Sequence, residues 1–237
     1  MRLARACAKN QVMKITPLGD GALVVEVAEK IGDDALFHVQ ALVRELERNP
    51  LPGTIEIVPS FTTVAVFYDP AKIGGMDALR NELVARVPRT IPRRDKSVVR
   101  EIIIPVCYGG DFGPDLTEVA AQAGLNKDTA IALHSGAKYR VHAVGFAPGF
   151  PYLAGLPEKL HIPRRATPRT RVPAGSVGIG GSQTGVYPLA TPGGWQLIGR
   201  TPLRLFRPEN ETEPALLRPG DYVRFQPISK EEFAAWK

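Results

Sequence analysis

The sequence predicts an α+β protein in two parts: a small N-terminal two-layer α/β sandwich, then a region of short strands that closes as a barrel or a sandwich. Three observations predict it. Helical and strand-like periods alternate through residue 92, short β-like runs punctuated by glycine and proline dominate the second half, and PRTIPRRDKS at 88–97, rich in proline and charge, separates the two textures.

With 237 residues, 44% hydrophobic and 23% charged, the chain can bury roughly 70% of its unfolded surface and reads as globular rather than disordered. No run approaches the ~18 consecutive apolar residues of a membrane span, so a soluble protein is expected. Cys7 and Cys107 lack the close spacing of a zinc knuckle or redox pair and suit a reducing, cytoplasmic compartment. MRLARACAKNQV is basic but lacks the apolar core of a secretory signal. Met13 opens MKITPLGDGALVVEV, a natural start of folded sequence. Residues 1–12 are therefore expected as an N-terminal extension, 13–92 as the α+β domain and 93–237 as the second domain.

Leu23 to Val27 is a short apolar run and reads as a strand. Leu36, Val39, Leu42, Val43 and Leu46 recur at helical spacing, predicting a helix over Asp33 to Arg48 that Asn49-Pro50 ends. TIEIVPS and TTVAVFYD read as strands, and Met76, Leu79, Leu83 and Val87 mark a second helix before Pro88. VVREIIIPV either closes this domain in a split βαβ pattern or opens the next. Beyond the glycine-rich turn CYGGDFGPD, a helical hairpin is expected over Leu116 to Ala123 and Lys127 to His134. Turn-rich β sequence then runs to RPGD, where Pro219-Gly220 turns into the strand YVRFQPI. Ser229 with Glu232 forms a capping box for a last short helix.

Residues 145–201 hold 11 of the 23 glycines and 8 of the 22 prolines. Glycine permits close approach and proline stiffens the chain, so together they favour a rigid, irregular surface. The same stretch carries Lys159, Arg164, Arg165, Arg169, Arg171 and Arg200 against one acid, Glu158. One reading assigns these residues to turns between strands. The other is a preorganised site for a small anion, since arginine's planar fork matches a carboxylate.

Familiar catalytic signatures fail. Gly175 directly precedes Ser176, one position off the G-x-S-x-G nucleophile elbow, and no helical period follows. Gln183 stands where Gly178-Ile179-Gly180 would need its third dinucleotide-binding glycine, and no P-loop lysine occurs. His38, His134, His142 and His161 show no ligand spacing, so no metal site is expected and each reads as structural or surface. Asp20, Asp111 and Asp115, beside glycine or proline, read first as turn or cap residues. Phe150, Tyr152, Tyr187 and Trp195 alternate with the basic residues, but proline-locked turns match no base-reading module, so nucleic acid is not the expected partner.

GFAPGFPYLAGLP, PRRATPRTRVPAGSVGIGGSQTGVYP and TPGGWQLIGRTP resemble the signature blocks of the family of 5-oxoprolinase B subunits, also called allophanate hydrolase subunit 1. CYGGDFGPDL and PLGDGALVVEV resemble further blocks, so the similarity covers nearly everything after Met13. The resemblance implies a cyclophilin-like β-barrel after the α+β domain. It also implies a complex with 5-oxoprolinase subunits C and A that opens 5-oxoproline to glutamate while hydrolysing ATP, with ATP bound mostly outside this chain. Within the matched blocks, Arg164 or Arg169 is expected to hold the substrate carboxylate. Ser176, Gln183, Thr184 and Tyr187 are expected to supply neutral polar contacts, and Phe150, Tyr152 and Trp195 to wall the pocket or face a partner protein of the complex. Two alternatives travel with the resemblance: a non-catalytic inhibitor that binds a sensor histidine kinase, and a component of allophanate or urea degradation.

Overall fold

The structure, a computed structural model, describes residues 14–86 and 100–236. These fall into two compact units, one before and one after residues 87–99. The expected extension at 1–12, the linker at 88–97 and the boundary at 92/93 lie outside the described residues. No described helix is long and apolar enough to cross a membrane.

The first unit runs β1 (Lys14–Pro17), β2 (Ala22–Glu26), α1 (Asp33–Arg48), β3 (Thr54–Pro59), β4 (Thr63–Tyr68) and α2 (Met76–Arg86). Its sheet is antiparallel throughout, in the order β1-β2-β4-β3. β4 shows why the order is stable: Val64, Val66 and Tyr68 alternate onto the buried face. There they meet Val39, Leu42 and Leu46 of α1 and Leu79 and Leu83 of α2 in one apolar cluster. Each fully buried leucine contributes about 1.5–3 kcal/mol. Of the two roles open to VVREIIIPV, the structure gives the second. Its residues from Glu101 onward form β5 (Glu101–Tyr108), where Ile104 and Val106 are buried in the core of the other unit. The fourth strand of the sheet is instead β1, a short element with one buried apolar side chain, Ile15.

The second unit contains a closed barrel. With β6 (Tyr139–Val144), β7 (Pro151–Ala154), β9 (Ser176–Gly180), β10 (Gln183–Val186), β12 (Gln196–Arg200) and β13 (Tyr222–Pro227), the order around it is β10-β7-β6-β13-β5-β12-β9. β13 runs parallel to β5 and antiparallel to β6. β8 (Arg169–Val172) and β11 (Thr191–Gly193) form a separate two-stranded ribbon. The expected hairpin is α3 (Leu116–Gln122) and α4 (Lys127–Gly136), and the last helix is α5 (Lys230–Ala235) with both capping-box hydrogen bonds formed.

His134 of α4 lies inside this barrel. It hydrogen-bonds Tyr108 of β5 at 2.8 Å and Thr184 of β10 at 3.0 Å, and stacks on Phe225 of β13. β5 and β10 are not neighbours in the barrel order, so the imidazole bridges across the interior. Thr184 donates its one hydroxyl proton to the Gly178 carbonyl at 2.9 Å. Its oxygen must then accept from His134 Nε2–H, which leaves Nδ1 to accept from the Tyr108 hydroxyl. Burial pushes the imidazole down to about 3, so the ring is neutral at physiological pH.

Candidate functional site

The sequence VGIG in β9 decides what lies on each side of the barrel wall. Strand residues alternate faces. Val177 and Ile179 point into the core, while Gly178 and Gly180 leave the outer face bare. The same holds across β10, where Thr184 and Val186 are buried and Gly185 opens outward. Trp195 lies on this bare surface. A Cβ added at Gly180 would fall 2.7 Å from the indole ring, and one at Gly185 would fall 3.0 Å from Phe150 and 3.1 Å from Trp195. Gly180 is thus required by close approach of the indole, and Gly185 by the rings together with the Pro151 carbonyl oxygen, 2.7 Å from such a Cβ.

On this bed the rings interlock edge to face. Phe150 sits 5.2 Å from Tyr187, 5.4 Å from Trp195 and 5.0 Å from Tyr152, with interplanar angles of 75°, 84° and 65°. Such pairs each add about 0.5–1.5 kcal/mol beyond burial. Gly193 of β11 completes the packing, since a Cβ there would lie 2.5 Å from the Tyr187 hydroxyl. Burial pushes that hydroxyl above the usual tyrosine range, opposed by its backbone hydrogen bond with Trp195 and by the Arg164 charge. It therefore keeps its proton near neutral pH.

The rings wall a cavity of about 320 Å³, whose lining also includes Arg164, Arg165, Pro168 and Pro192 to Gly194. The Arg164 guanidinium lies over the Trp195 ring, 5.8 Å from its centroid. Arg165 is anchored through its backbone, whose N–H donates to the Gly194 carbonyl at 2.7 Å. Phe146 stands at the mouth, 65% exposed, with φ 71°. A bulky aromatic in the left-handed region is an outlier that costs on the order of 1–3 kcal/mol. Nothing in the residue pattern signals that backbone angle, and Phe146 is absent from the expected site.

A second residue missed from sequence is Asp115, expected as a turn or cap. Gly113 brings it in: a Cβ at Gly113 would lie 2.0 Å from the Ile198 carbonyl oxygen, so only glycine lets this loop lie flush on β12. Asp115 does stand at the N-cap position of α3, as expected, but its side chain makes no cap bond there. Its Oδ2 accepts from the Leu197 N–H at 2.6 Å, while Oδ1 accepts from Arg169 at 2.7 Å and more distantly from Arg165 at 3.4 Å. The acid that faces the arginine-rich stretch therefore comes from outside that stretch.

The structure gathers Phe150, Tyr152, Tyr187, Trp195 and Arg164 around one cavity. Arg169 is instead held against Asp115. Ser176, Gln183 and Thr184 lie on β9 and β10 outside the lining, Ser176 and Thr184 fully buried and Thr184 committed to His134 and Gly178. Among the described residues no group of three or more His, Cys, Asp or Glu side chains could hold a metal ion.

Comparison with known proteins fits this architecture. The carboxyltransferase domain family, subdomain C and D, matches residues 13–217. The B subunit of 5-oxoprolinase from Bacillus subtilis strain 168 is 44% identical over 234 residues, covering 94% of this chain and 96% of that protein. The corresponding B subunit of Escherichia coli O157:H7 is 46% identical over 212 residues, covering 89% and 94%. Among solved structures, PH0987 from Pyrococcus horikoshii is 42% identical with a TM-score of 0.55, covering 93% of this chain and all of that one. The urea amidolyase of K. lactis shares the fold at a TM-score of 0.79 and 22% identity, with this chain matching 15% of its length. The chain belongs to the carboxyltransferase subdomain C and D family and, within it, to the group of bacterial 5-oxoprolinase B subunits.

Proposed function

We propose that this chain works as the B subunit of an ATP-dependent 5-oxoprolinase, opening the lactam of 5-oxoproline to glutamate in the cytoplasm together with subunits C and A. The observation that carries the reading is identity of 42–46% to three bacterial B subunits over 94–97% of their length. The cavity supports it. A small flat lactam bearing a carboxylate needs apolar walls and a cation, and the lining offers Phe150, Tyr152 and Trp195 with Arg164 at the edge.

Enzymes lower barriers by about 8–23 kcal/mol, whereas one hydrogen-bond donor to a developing oxyanion contributes about 2.7–4. The Tyr187 hydroxyl and the arginines can orient the ring and take up negative charge. ATP is a co-substrate, and its binding and the activation of the amide belong in this reading to the partner subunits. Arg164 then holds the substrate carboxylate, Tyr187 supplies the neutral polar contact, and Arg169 supports the cavity wall through Asp115. Thr184 serves the barrel interior.

Reconstitution tests the reading. The chain mixed with its C and A subunits, ATP and 5-oxoproline is expected to release glutamate and ADP together, with neither formed when this chain is omitted. Absence of turnover in the complete mixture overturns it.

A further inference from the structure

The charges around the cavity do not balance. Arg164 and Arg165 line it, Arg169 lies outside the lining, and among the described residues Asp115 is the one acid paired with this group. Both Asp115 oxygens are already engaged at short range, by the Leu197 N–H and by Arg169. Arg165 reaches Asp115 at only 3.4 Å, and its buried Nε has no hydrogen-bond partner. Arg164 rests on the Trp195 face, and the ion pairs of this stretch go to Arg165 and Arg169 instead. One carboxylate against three guanidinium groups leaves two formal positive charges at an aromatic cavity.

We propose that Arg164 and Arg165 make this cavity a site for a flat ring carrying two anionic groups, one per guanidinium, so that Arg165 is a specificity-determining residue. A guanidinium bound to a carboxylate or phosphate gives a short, charge-assisted, often bidentate contact. A ring with a single anion satisfies one of the two and leaves the other facing apolar walls.

The inference rests on the cavity being the substrate site of the proposed reaction, and it names the form of substrate held most tightly. Transfer of the ATP γ-phosphoryl group to the lactam oxygen breaks the bond from the γ-phosphorus to the bridging oxygen, whose electron pair leaves with ADP. The new O–P bond forms as the ring C=N bond develops and the amide proton passes to solvent. The ring then carries a carboxylate and a phosphate, one anionic group for each of the two lining arginines.

Calorimetric titration of the full chain with pyrrole-2-carboxylate and pyrrole-2,5-dicarboxylate tests this without turnover. The dicarboxylate is expected to bind at least ~10-fold more tightly at low salt. Arg165→Ala and Arg164→Ala should each bring the two affinities within about twofold of one another, with Arg165→Lys in between. Arg171→Ala removes an equal charge outside the lining and should leave the ratio intact. Thermal unfolding of each variant controls for folding, and the ratio of two ligands on one variant is insensitive to a partly unfolded fraction. Equal affinities in the parent chain, no binding of either ligand, or an equal loss of selectivity in Arg171→Ala overturns the proposal. A selective chain whose complete complex fails to open 5-oxoproline overturns the functional reading alone. An active complex with an unselective chain overturns the two-anion site alone.

Discussion

Asp115 and Leu197 exchange hydrogen bonds in both directions: the Leu197 N–H donates to Asp115 Oδ2 at 2.6 Å, and the Asp115 N–H donates to the Leu197 carbonyl at 2.9 Å. The pair ties the start of α3 to β12, two residues beyond Trp195, and the same carboxylate holds Arg169. Replacing Asp115 by alanine removes an acceptor from a buried N–H and strands two guanidinium groups that are partly exposed. Stability is expected to fall by about 2–4 kcal/mol. Asp115→Asn keeps an acceptor for Leu197 and should lose less. Urea unfolding midpoints of the two variants check the order.

The bed beneath the aromatic rings predicts a steric defect. Gly180→Ala places a methyl group against the Trp195 indole, and Gly193→Ala places one against the Tyr187 hydroxyl. Each should cost about 1–3 kcal/mol by overpacking. In a Trp236→Phe background, where Trp195 is the one remaining tryptophan, Gly180→Ala should also shift the emission maximum. Unchanged emission would mean that the ring does not rest on this strand.

Thr184→Val keeps the shape of the side chain but removes the acceptor for His134 Nε2–H inside the barrel. A loss of about 1–3 kcal/mol is expected from the unpaired buried group. Nitrogen chemical shifts of His134 should show the proton on Nε2 and an acceptor at Nδ1. A proton on Nδ1 contradicts the assigned direction of the chain from Tyr108 through His134 to Thr184.

The same histidine predicts a pH dependence. Its pKa is about 3 when folded against an ordinary 6.5, so between those values the unfolded chain binds the extra proton. Its contribution is complete above pH 6.5 and is lost as pH falls toward 3, at up to ~1.4 kcal/mol per pH unit. Stability of the parent chain minus that of His134→Gln, followed across this window, should shrink as pH falls. A constant difference would show that the imidazole is not held neutral by burial.

Arg164 and Arg169 should separate in kinetics of the reconstituted complex. Arg164→Ala is expected to raise KM for 5-oxoproline about 10-fold or more with little change in Tm, because it loses a charge-assisted contact to the ligand. Arg169→Ala breaks the pair with Asp115 and should lower Tm first. Reversal of the two effects would move the carboxylate contact to Arg169.

Features set by local period were legible in the sequence. The span Asp33–Arg48 of α1 follows from its apolar spacing, and the Ser229–Glu232 capping box from two residues three apart. Phe150, Tyr152, Tyr187, Trp195 and Arg164 could be nominated together because each lies in the glycine- and proline-rich stretch. What stayed hidden depends on contacts through space. Asp115 meets Arg169 across 54 positions, and no periodicity relates them. Thr184 looked like a site hydroxyl, yet the need for Gly185 on the outer face turns its neighbour inward to His134. The alternation V-G-I-G carried that information in advance. β1 had too few apolar residues to register, and the backbone angle of Phe146 leaves no trace in residue type.

Gly178, Gly180 and Gly185 hold a further consequence for how this recess can change. No side chain is smaller than hydrogen, so any replacement at these positions pushes into Trp195 or Phe150 and makes the hollow shallower. Room for a bulkier guest can come only from trimming the rings or the arginines above, and the barrel wall itself fixes the greatest depth available.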